Sequence, residues 1–290
     1  MITKLKGTGI AIVTPFTSNR EVDYPALKKL VNYLIDGGVE HLVVMGTTGE
    51  SAVLNASEKK QVLDTVIAEN QGRLPIILGI GGNCTQVVVD QIKSTDFTGV
   101  DAILSVSPAY IKPTQEGIYK HFEAIATASP LPIILYNVPG RTSSNMSAGV
   151  TLRLANDFDN IIAVKEASGD MMQCMEILRD RPKGFLVLSG DDALTLPLVL
   201  MGGDGVISVQ GMAYPREFSD MVREGLAGNN AKARELHYMQ LEMMNLIFAE
   251  GNPGGIKEVL KQRGVCENYV RLPLVEISTD LSEKIKAELN

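Results

Sequence analysis

The chain has 290 residues, long enough for one large domain or two small ones, and with 45% hydrophobic and 21% charged residues it has the composition of a globular protein with a sizeable core. Its formal net charge is −7 and it contains no basic run, which argues against nucleic-acid binding. The apolar stretches are too short to cross a bilayer and the amino terminus lacks a secretory apolar core, so we expect a cytoplasmic protein without membrane contacts.

Eight short apolar segments rich in β-branched residues recur at roughly even spacing. Continuous apolar runs of this kind are typical of parallel strands that are covered on both faces. The predicted strands are Gly9–Val13, His41–Met45, Pro75–Gly79, Ala102–Ser105, Pro132–Tyr136, Ile161–Val164, Phe185–Leu188 and Gly205–Val209.

Helical patterns lie between most of these strands. Asp23–Asp36 has apolar residues at helical spacing and stops at Gly37, where a C-cap glycine is expected, and Ser57–Asn70 begins with Ser57 as a candidate N-cap. Further helices are predicted at Gln115–Ala128, Ser147–Asn156, Met171–Asp180, Ala193–Met201 and Arg216–Leu226. The alternation of strands and helices predicts an α/β fold.

Eight strand-helix units favour a closed (β/α)₈ barrel, the TIM barrel, over an open doubly wound sheet. No Gly-x-Gly-x-x-Gly turn follows the first strand, and the partial match at Gly79–Gly82 is interpreted as a tight turn. After residue 228 only helical patterns remain, at Ala231–Ala249, Gly255–Arg263 and Ser278–Leu289. The predicted organisation is therefore a barrel over residues 1–228 and a C-terminal helical extension over residues 229–290.

Reactive residues of such a barrel are expected where the strands end. Lys165 ends the sixth predicted strand, in a mouth with little water, where its amine can attack a ketone; the alternative is an ion pair with Glu166. Tyr136 ends the neighbouring strand, and a phenol beside an amine can carry the protons of imine formation. Its alternative role is packing.

Two loops carry candidate carboxylate-binding groups. Thr47 and Thr48 lie between two glycines, where exposed backbone N–H groups can hold a carboxylate, although a plain turn before a helix is the competing interpretation. Arg141 lies in a Pro-Gly-Arg loop, and its guanidinium can grip a carboxylate through two hydrogen bonds, although a surface charge is the alternative.

No metal site is predicted. The three histidines and the cysteines Cys84, Cys174 and Cys266 are widely scattered, and the cysteines are expected to be buried reduced thiols. Asp191 and Asp192 follow the seventh strand, where an N-cap and a first-turn acid are favoured over a Mg²⁺ site.

Three segments resemble, in order and spacing, the signature regions of the dihydrodipicolinate synthase and N-acetylneuraminate lyase superfamily of pyruvate-dependent class I aldolases. They are Gly46-Thr47-Thr48-Gly49-Glu50, the segment from Tyr136 to Thr142, and Val164-Lys165-Glu166-Ala167, and the resemblance covers nearly the whole chain. It implies condensation of pyruvate with L-aspartate-4-semialdehyde to 4-hydroxytetrahydrodipicolinate, on the route to diaminopimelate and lysine, without a cofactor or a metal. It also implies a homotetramer built as a dimer of dimers.

The resemblance assigns roles to individual residues. Lys165 would form the Schiff base with pyruvate, and Tyr136, Thr47 and Tyr110 would form a proton relay, with Tyr110 reaching into the neighbouring subunit's site. The remaining candidates would bind substrate: Thr48 and the backbone near Ile207 around the pyruvate carboxylate, Gly190 at the end of the seventh strand, and Arg141 at the carboxylate of the second substrate.

Two alternatives remain open. One is an aldolase of the same superfamily that acts on a sugar acid or a hydroxy-oxoglutarate, against which Arg141 argues, because relatives that handle sugar acids usually lack the Gly-Arg pair. The other is a barrel that binds a keto acid without turnover, against which the intact set of Lys165, Tyr136 and Thr47 argues.

The resemblance also bears on regulation. In lysine-inhibited members, imidazoles, an acid and an aromatic residue line a pocket between subunits. The matching positions here are Ala56, Lys59, Val87 and Ala109. Without the acid that would pair with the ammonium group of lysine, feedback inhibition is expected to be weak or absent.

Overall fold

Eight parallel strands close into a barrel in the computed structural model, which describes residues 2–289. Each strand pairs with the next in the chain, and the last pairs with the first. The strands are β1 (Gly7–Ala11), β2 (His41–Val44), β3 (Ile76–Gly79), β4 (Ala102–Val106), β5 (Ile133–Asn137), β6 (Ile161–Glu166), β7 (Leu186–Ser189) and β8 (Gly205–Ser208). The predicted (β/α)₈ barrel is confirmed, and the eight predicted strands all overlap the observed ones.

Helices α1–α9 surround the barrel and α10–α12 follow it. They are α1 (Tyr24–Asp36), α2 (Ala56–Asn70), α3 (Thr85–Ser94), α4 (Gln115–Ala128), α5 (Pro139–Thr142), α6 (Ala148–Asp157), α7 (Met171–Asp180), α8 (Thr195–Leu200), α9 (Pro215–Leu226), α10 (Asn230–Leu246), α11 (Gly254–Gln262) and α12 (Thr279–Glu288). None of the helices in the described part of the chain is long and apolar enough to span a membrane.

The structure corrects three details. Helix α3 was not predicted, because its three successive valines favour a strand locally. It forms with Val88 and Ile92 buried in the main hydrophobic core. Cys84, at its N-terminus, is exposed, so the prediction of a buried thiol is wrong for this cysteine and correct for Cys174 and Cys266. Helix α2 is capped by Asn55 rather than Ser57, because Asn55 and Glu58 form a capping box.

One irregularity in the barrel decides the geometry of the site. In β6, Ile161 pairs with Ile133, but the next pair along is Ala163 with Ile134, so Ile162 is an extra residue on β6. After this bulge, Tyr136 lies opposite Lys165 and Asn137 lies opposite Glu166. Bulges shift register and re-aim side chains, and this one turns Tyr136 and Lys165 toward the same face.

The C-terminal helices pack onto the barrel as part of its core. Met243, Ile247, Ile256 and Val259 belong to the same buried hydrophobic cluster as residues of β1 and α1. The predicted helical extension is therefore present. The division into residues 1–228 and 229–290 stays a prediction.

Candidate active site

A cavity of about 1350 Å³ extends from the carboxyl ends of the strands along α2 and α3. Six of the eight candidate site residues line it: Thr47, Thr48, Tyr136, Arg141, Lys165 and Gly190. The other two, Tyr110 and Ile207, do not. Strand ends that meet at one rim bring together residues far apart in the chain, as a barrel of this kind requires.

Lys165 is the only lysine of β5 to β8, and its amine lies against an aromatic ring. Lys165 is 5% exposed and Tyr136 is 7% exposed, and the Lys165 Nζ atom is 4.4 Å from the centre of the Tyr136 ring. An amine and a phenol are thus adjacent in a nearly buried position, which suits proton transfer during imine formation.

Gly190 leaves the space that the Lys165 side chain occupies. A Cβ atom at Gly190 would lie 2.6 Å from the Cβ atom of Ala167 and 3.0 Å from the Cε atom of Lys165. Real Cβ atoms do not come that close to other atoms without displacing them. The absence of a side chain at position 190 therefore lets Lys165 reach the cavity.

Glu166 is not the partner of Lys165. It points away from the cavity, as alternation along a strand requires, and its carboxylate accepts hydrogen bonds from Asn137 Nδ2 at 3.0 Å, Gln173 Nε2 at 2.9 Å and the Ser168 N–H at 2.8 Å. Among residues 2–289, no ion pair of Lys165 or Glu166 is found. The alternative in which Lys165 is a structural ion-pair residue is therefore unsupported.

Thr48 lies in a 3₁₀ turn, Thr47–Gly49, that begins after Gly46. The N–H groups of Gly49 and Glu50 donate within this turn, whereas those of Thr47 and Thr48, as the first two of a 3₁₀ turn, have no partner inside it. Thr48 is buried and Thr47 is exposed. The turn thus presents free donors to the cavity.

Arg141 lies on the short helix α5, at the exposed rim of the cavity. Its guanidinium forms no ion pair within residues 2–289. A guanidinium at a cavity rim without an internal partner is available for an anionic ligand.

Tyr110 lies outside the cavity of its own chain. Its side chain is 87% exposed, and its backbone has a φ angle of 69°. Two hydrogen bonds hold this loop, from the Tyr110 N–H to the Thr142 carbonyl at 3.1 Å and from the Ala109 N–H to Asn83 Oδ1 at 2.8 Å. Because its backbone is held by hydrogen bonds and its side chain is exposed, Tyr110 is well placed to contact another molecule.

Asp192 organises the turn after β8. It is buried, and it accepts hydrogen bonds from Ser208 Oγ at 2.6 Å and the Gln210 N–H at 2.9 Å. Burial raises its pKa to about 6, against these hydrogen bonds. The turn it holds follows Ile207, whose buried side chain belongs to the hydrophobic cluster inside the barrel and does not line the cavity.

The predicted capping role of the two adjacent acids is corrected in part. Asp191 accepts from the Ala193 and Leu194 N–H groups, just before α8, but α8 begins only at Thr195 and Leu194 occupies its N-cap position. Asp192 serves β8 instead. In the described range, no group of three or more His, Cys, Asp or Glu side chains could hold a metal ion.

Two residues of the C-terminal extension contact the segment Thr47–Glu50 and were missed from the sequence. Asn252 lines the cavity and donates from Nδ2 to Thr48 Oγ1 at 2.9 Å, and Lys257 is fully buried and pairs with Glu50 at 2.5 Å. The signal for Lys257 was a lone lysine on the apolar stripe of α11, beside Ile256 and Leu260. Such a buried cation requires a buried partner.

Comparison with known proteins finds relatives that match almost the whole chain. The model of the dihydrodipicolinate synthetase family matches residues 4–290. The chain is 57% identical over 279 residues to a protein from Flavobacterium psychrophilum named 4-hydroxy-tetrahydrodipicolinate synthase, with 96% of this chain and 95% of the relative covered. A relative of the same name from Parabacteroides distasonis is 53% identical, with 98% and 96% covered.

A solved structure has the same fold. The dihydrodipicolinate synthase of Acinetobacter baumannii, described as complexed with pyruvate, superimposes with a TM-score of 0.95 at 37% identity, and 98% of each chain is covered. Identity at this level over the full length leaves one conclusion about ancestry: the chain belongs to the dihydrodipicolinate synthetase family.

Proposed function

We propose that the chain is a Schiff-base lyase that condenses pyruvate with L-aspartate-4-semialdehyde to 4-hydroxy-tetrahydrodipicolinate, in the biosynthesis of diaminopimelate and lysine. This is the activity that names its curated relatives. The observation that carries the proposal is the nearly buried Lys165 amine beside Tyr136, in a cavity that also holds Thr48 and Arg141.

The first half of the reaction activates pyruvate. The Lys165 amine adds to the C2 carbonyl, and the carbinolamine loses water to give an imine, while the Tyr136 phenol carries the protons. The imine draws electrons from the methyl group, so that loss of a methyl proton gives an enamine. Thr48 and the backbone near Gly190 and Ile207 hold the pyruvate carboxylate during these steps.

The second half joins the two substrates. The enamine carbon attacks the aldehyde, and the amino group of the adduct displaces Lys165 by transimination, which closes the ring and frees the enzyme. Arg141 takes the carboxylate of L-aspartate-4-semialdehyde through paired hydrogen bonds, which fixes the aldehyde beside the enamine. A sugar aldehyde offers no carboxylate for this contact.

The proton relay requires a second subunit. Thr47 is exposed at the mouth of the cavity, and Tyr110 completes the relay from a neighbouring copy, because it is exposed and does not line the cavity of its own chain. Val87 on α3 and Ile111 on the loop after β4 are 62% and 58% exposed and extend the apolar surface around Tyr110. The hydrogen bond from the Ala109 N–H to Asn83 Oδ1 joins the two segments.

A second apolar surface supports a tetramer. Met172 and Met175 on α7 and Leu200 at the end of α8 are exposed on consecutive helices outside the barrel. Exposed apolar patches of this kind mark association surfaces. A dimer of dimers would use one surface of each type, with the pair around Tyr110 building the active sites.

We place the enzyme in the cytoplasm, which suits its three unpaired cysteines.

Reductive trapping tests the chemistry. Borohydride added with pyruvate is expected to leave one adduct, on Lys165, in the wild type and none in Lys165→Ala. A folded wild-type protein that gains no adduct would remove the Schiff-base mechanism.

The aldehyde is tested separately in a coupled assay. L-aspartate-4-semialdehyde is expected to be turned over far faster than a sugar aldehyde, and Arg141→Ala to raise its KM about 10- to 100-fold, the range for a lost charge-assisted contact. Preference for the sugar aldehyde would support the sugar-acid alternative.

A further inference from the structure

The segment between α10 and α11 reaches into the active site through Asn252. This residue is 9% exposed and lines the cavity, and its Nδ2 atom lies 2.9 Å from Thr48 Oγ1. The other end of its amide, Oδ1, is buried without a hydrogen-bond partner in the described chain. Within the described chain, the side-chain amide of Asn252 therefore forms a hydrogen bond only with Thr48.

The direction of this hydrogen bond decides what Thr48 can do. A hydroxyl group has one proton to donate and two lone pairs that accept. Because Asn252 Nδ2 can only donate, Thr48 Oγ1 accepts from it and its own proton stays free for the cavity. With the amide turned around, the hydroxyl would donate to Asn252 and present lone pairs to the cavity, which would repel a carboxylate.

A second contact from the same extension holds the end of the Thr47–Gly49 turn. Glu50 follows this turn with a left-handed φ of 52°. Its carboxylate pairs with Lys257 Nζ at 2.5 Å and accepts from the Arg271 N–H at 3.0 Å. Breaking such a buried pair leaves an uncompensated charge, so the contact fixes the position of Glu50 strongly.

The Lys257 amine is enclosed by two acceptors and an aromatic ring. It donates to Glu50 and to the Tyr269 carbonyl at 2.7 Å, and it lies 4.2 Å from the centre of the Phe16 ring. Both ends of the ion pair are at most 1% exposed. A buried cation that does not line the cavity acts by holding other groups.

We infer that the C-terminal extension supplies two positioning residues for the Thr47–Gly49 turn, here called the carboxylate-binding turn. Asn252 directs the Thr48 hydroxyl proton at the carboxylate of the keto acid. Lys257 anchors the turn through Glu50. The inference rests on the proposed function, because the carboxylate at Thr48 is that of pyruvate. It makes substrate recognition a property of the extension as well as of the barrel.

A double-mutant cycle on the KM for pyruvate tests the link between Asn252 and Thr48. Thr48→Val is expected to raise this KM about 10-fold or more, and Asn252→Ala about 5-fold. In the Thr48→Val background, Asn252→Ala is expected to add less than about 2-fold, because its effect passes through a hydroxyl that is no longer present. If the rise in KM in the double variant equals the product of the rises in the two single variants, the inference is overturned.

The isosteric variant Asn252→Asp separates positioning from packing. Its side chain fills the same volume but accepts where Asn252 donates, so it draws the Thr48 proton away from the substrate. We expect a larger rise in the KM for pyruvate than with Asn252→Ala, and a change of less than about 2-fold in the KM for the aldehyde. A purely structural residue would show the opposite order.

Leu281→Ala is the matched control. Leu281 is buried in α12 of the same extension and is not part of the carboxylate-binding turn. It is expected to lower the Tm without changing the KM for pyruvate, whereas Lys257→Met is expected to change both. A rise with Leu281→Ala equal to that with Asn252→Ala would show that general loosening, not positioning, is responsible.

Reductive trapping distinguishes the two levels of the argument. If wild-type protein gains no pyruvate adduct, the proposed function fails. If the wild type is trapped and Asn252→Ala is trapped at the same pyruvate concentration, only the inference about Asn252 fails. The expected result is that Asn252→Ala reaches the wild-type extent of trapping but needs several-fold more pyruvate.

Discussion

Tyr136 and Lys165 lie directly opposite each other on β5 and β6 because β6 contains one extra residue, Ile162. Had the pairing of Ile133 with Ile161 continued without a bulge, Tyr136 would lie opposite Val164. The shift brings phenol and amine to the same face, with Nζ 4.4 Å from the ring centre. The bulge therefore sets the relative position of the two groups that the proposed mechanism uses for proton transfer.

Adding one methyl group at Gly190 is expected to displace the nucleophile. In Gly190→Ala the new Cβ atom would lie 3.0 Å from Lys165 Cε, and misplacement of a reacting group by about 1 Å costs on the order of 100-fold in rate. Steady-state kcat and the rate of borohydride trapping should both fall.

Gly149→Ala is the control for this substitution. Gly149 lies on α6, and its nearest neighbour is 3.9 Å from the added Cβ atom. Unchanged kcat is expected here, with slightly higher stability because alanine favours the helix. Wild-type activity in Gly190→Ala would contradict the assigned position of Lys165.

The barrel interior contains an imidazole that should make the protein sensitive to acid. His41 is fully buried beside Gly9, and neither ring nitrogen has a partner in the described chain. Burial lowers its pKa from 6.5 to about 3. As the pH falls, His41 is therefore protonated near pH 6.5 in the unfolded chain but only near pH 3 in the folded protein.

Stability is accordingly expected to fall by about 1.4 kcal/mol per pH unit between pH 6.5 and 3 through this residue. Urea unfolding of the wild type and of His41→Leu at pH 7 and pH 5 measures the contribution. The decrease in the free energy of unfolding from pH 7 to pH 5 should be about 2 kcal/mol larger in the wild type than in His41→Leu. Equal drops would show that His41 does not titrate on unfolding.

Hybrid oligomers test the role of Tyr110. Lys165→Ala and Tyr110→Phe should each be nearly inactive, but a mixed oligomer should regain activity. In it, the site on the Tyr110→Phe subunit has its own Lys165 and an intact tyrosine from its partner. A mixture of Lys165→Ala with Tyr136→Phe is the control and should stay inactive, because each variant damages its own site. No recovery in the first mixture would place Tyr110 outside the neighbouring site.

Lysine is expected to inhibit weakly or not at all. Val87, on α3, is 62% exposed and offers no charge to an ammonium group, and Ala56, Lys59 and Ala109 lack the imidazole and aromatic groups of the inhibited relatives. Activity should stay above half of its uninhibited value at low millimolar lysine. Half-maximal inhibition at or below that concentration would contradict the prediction.

The sequence by itself determined the architecture and located candidate residues at the strand ends. Eight buried β-branched runs and the helical patterns between them specify a barrel, because the period of apolar residues reflects which faces are covered. Lys165, Tyr136, Thr48 and Arg141 could be located because strand ends form the active site of a barrel. Helix α3 was not predicted because its three successive valines favour a strand, whereas packing in the folded protein makes the segment helical.

Only the tertiary structure decided how these groups meet. The bulge at Ile162 sets which residue faces Lys165, and no local pattern reports an extra residue that pairing with β5 creates. Asn252 and Lys257 reach Thr48 and Glu50 across more than 200 positions of the chain, so their partners are fixed by packing of the extension on the barrel. Hydrogen bonds and ion pairs depend on distance in space, which a linear pattern does not contain.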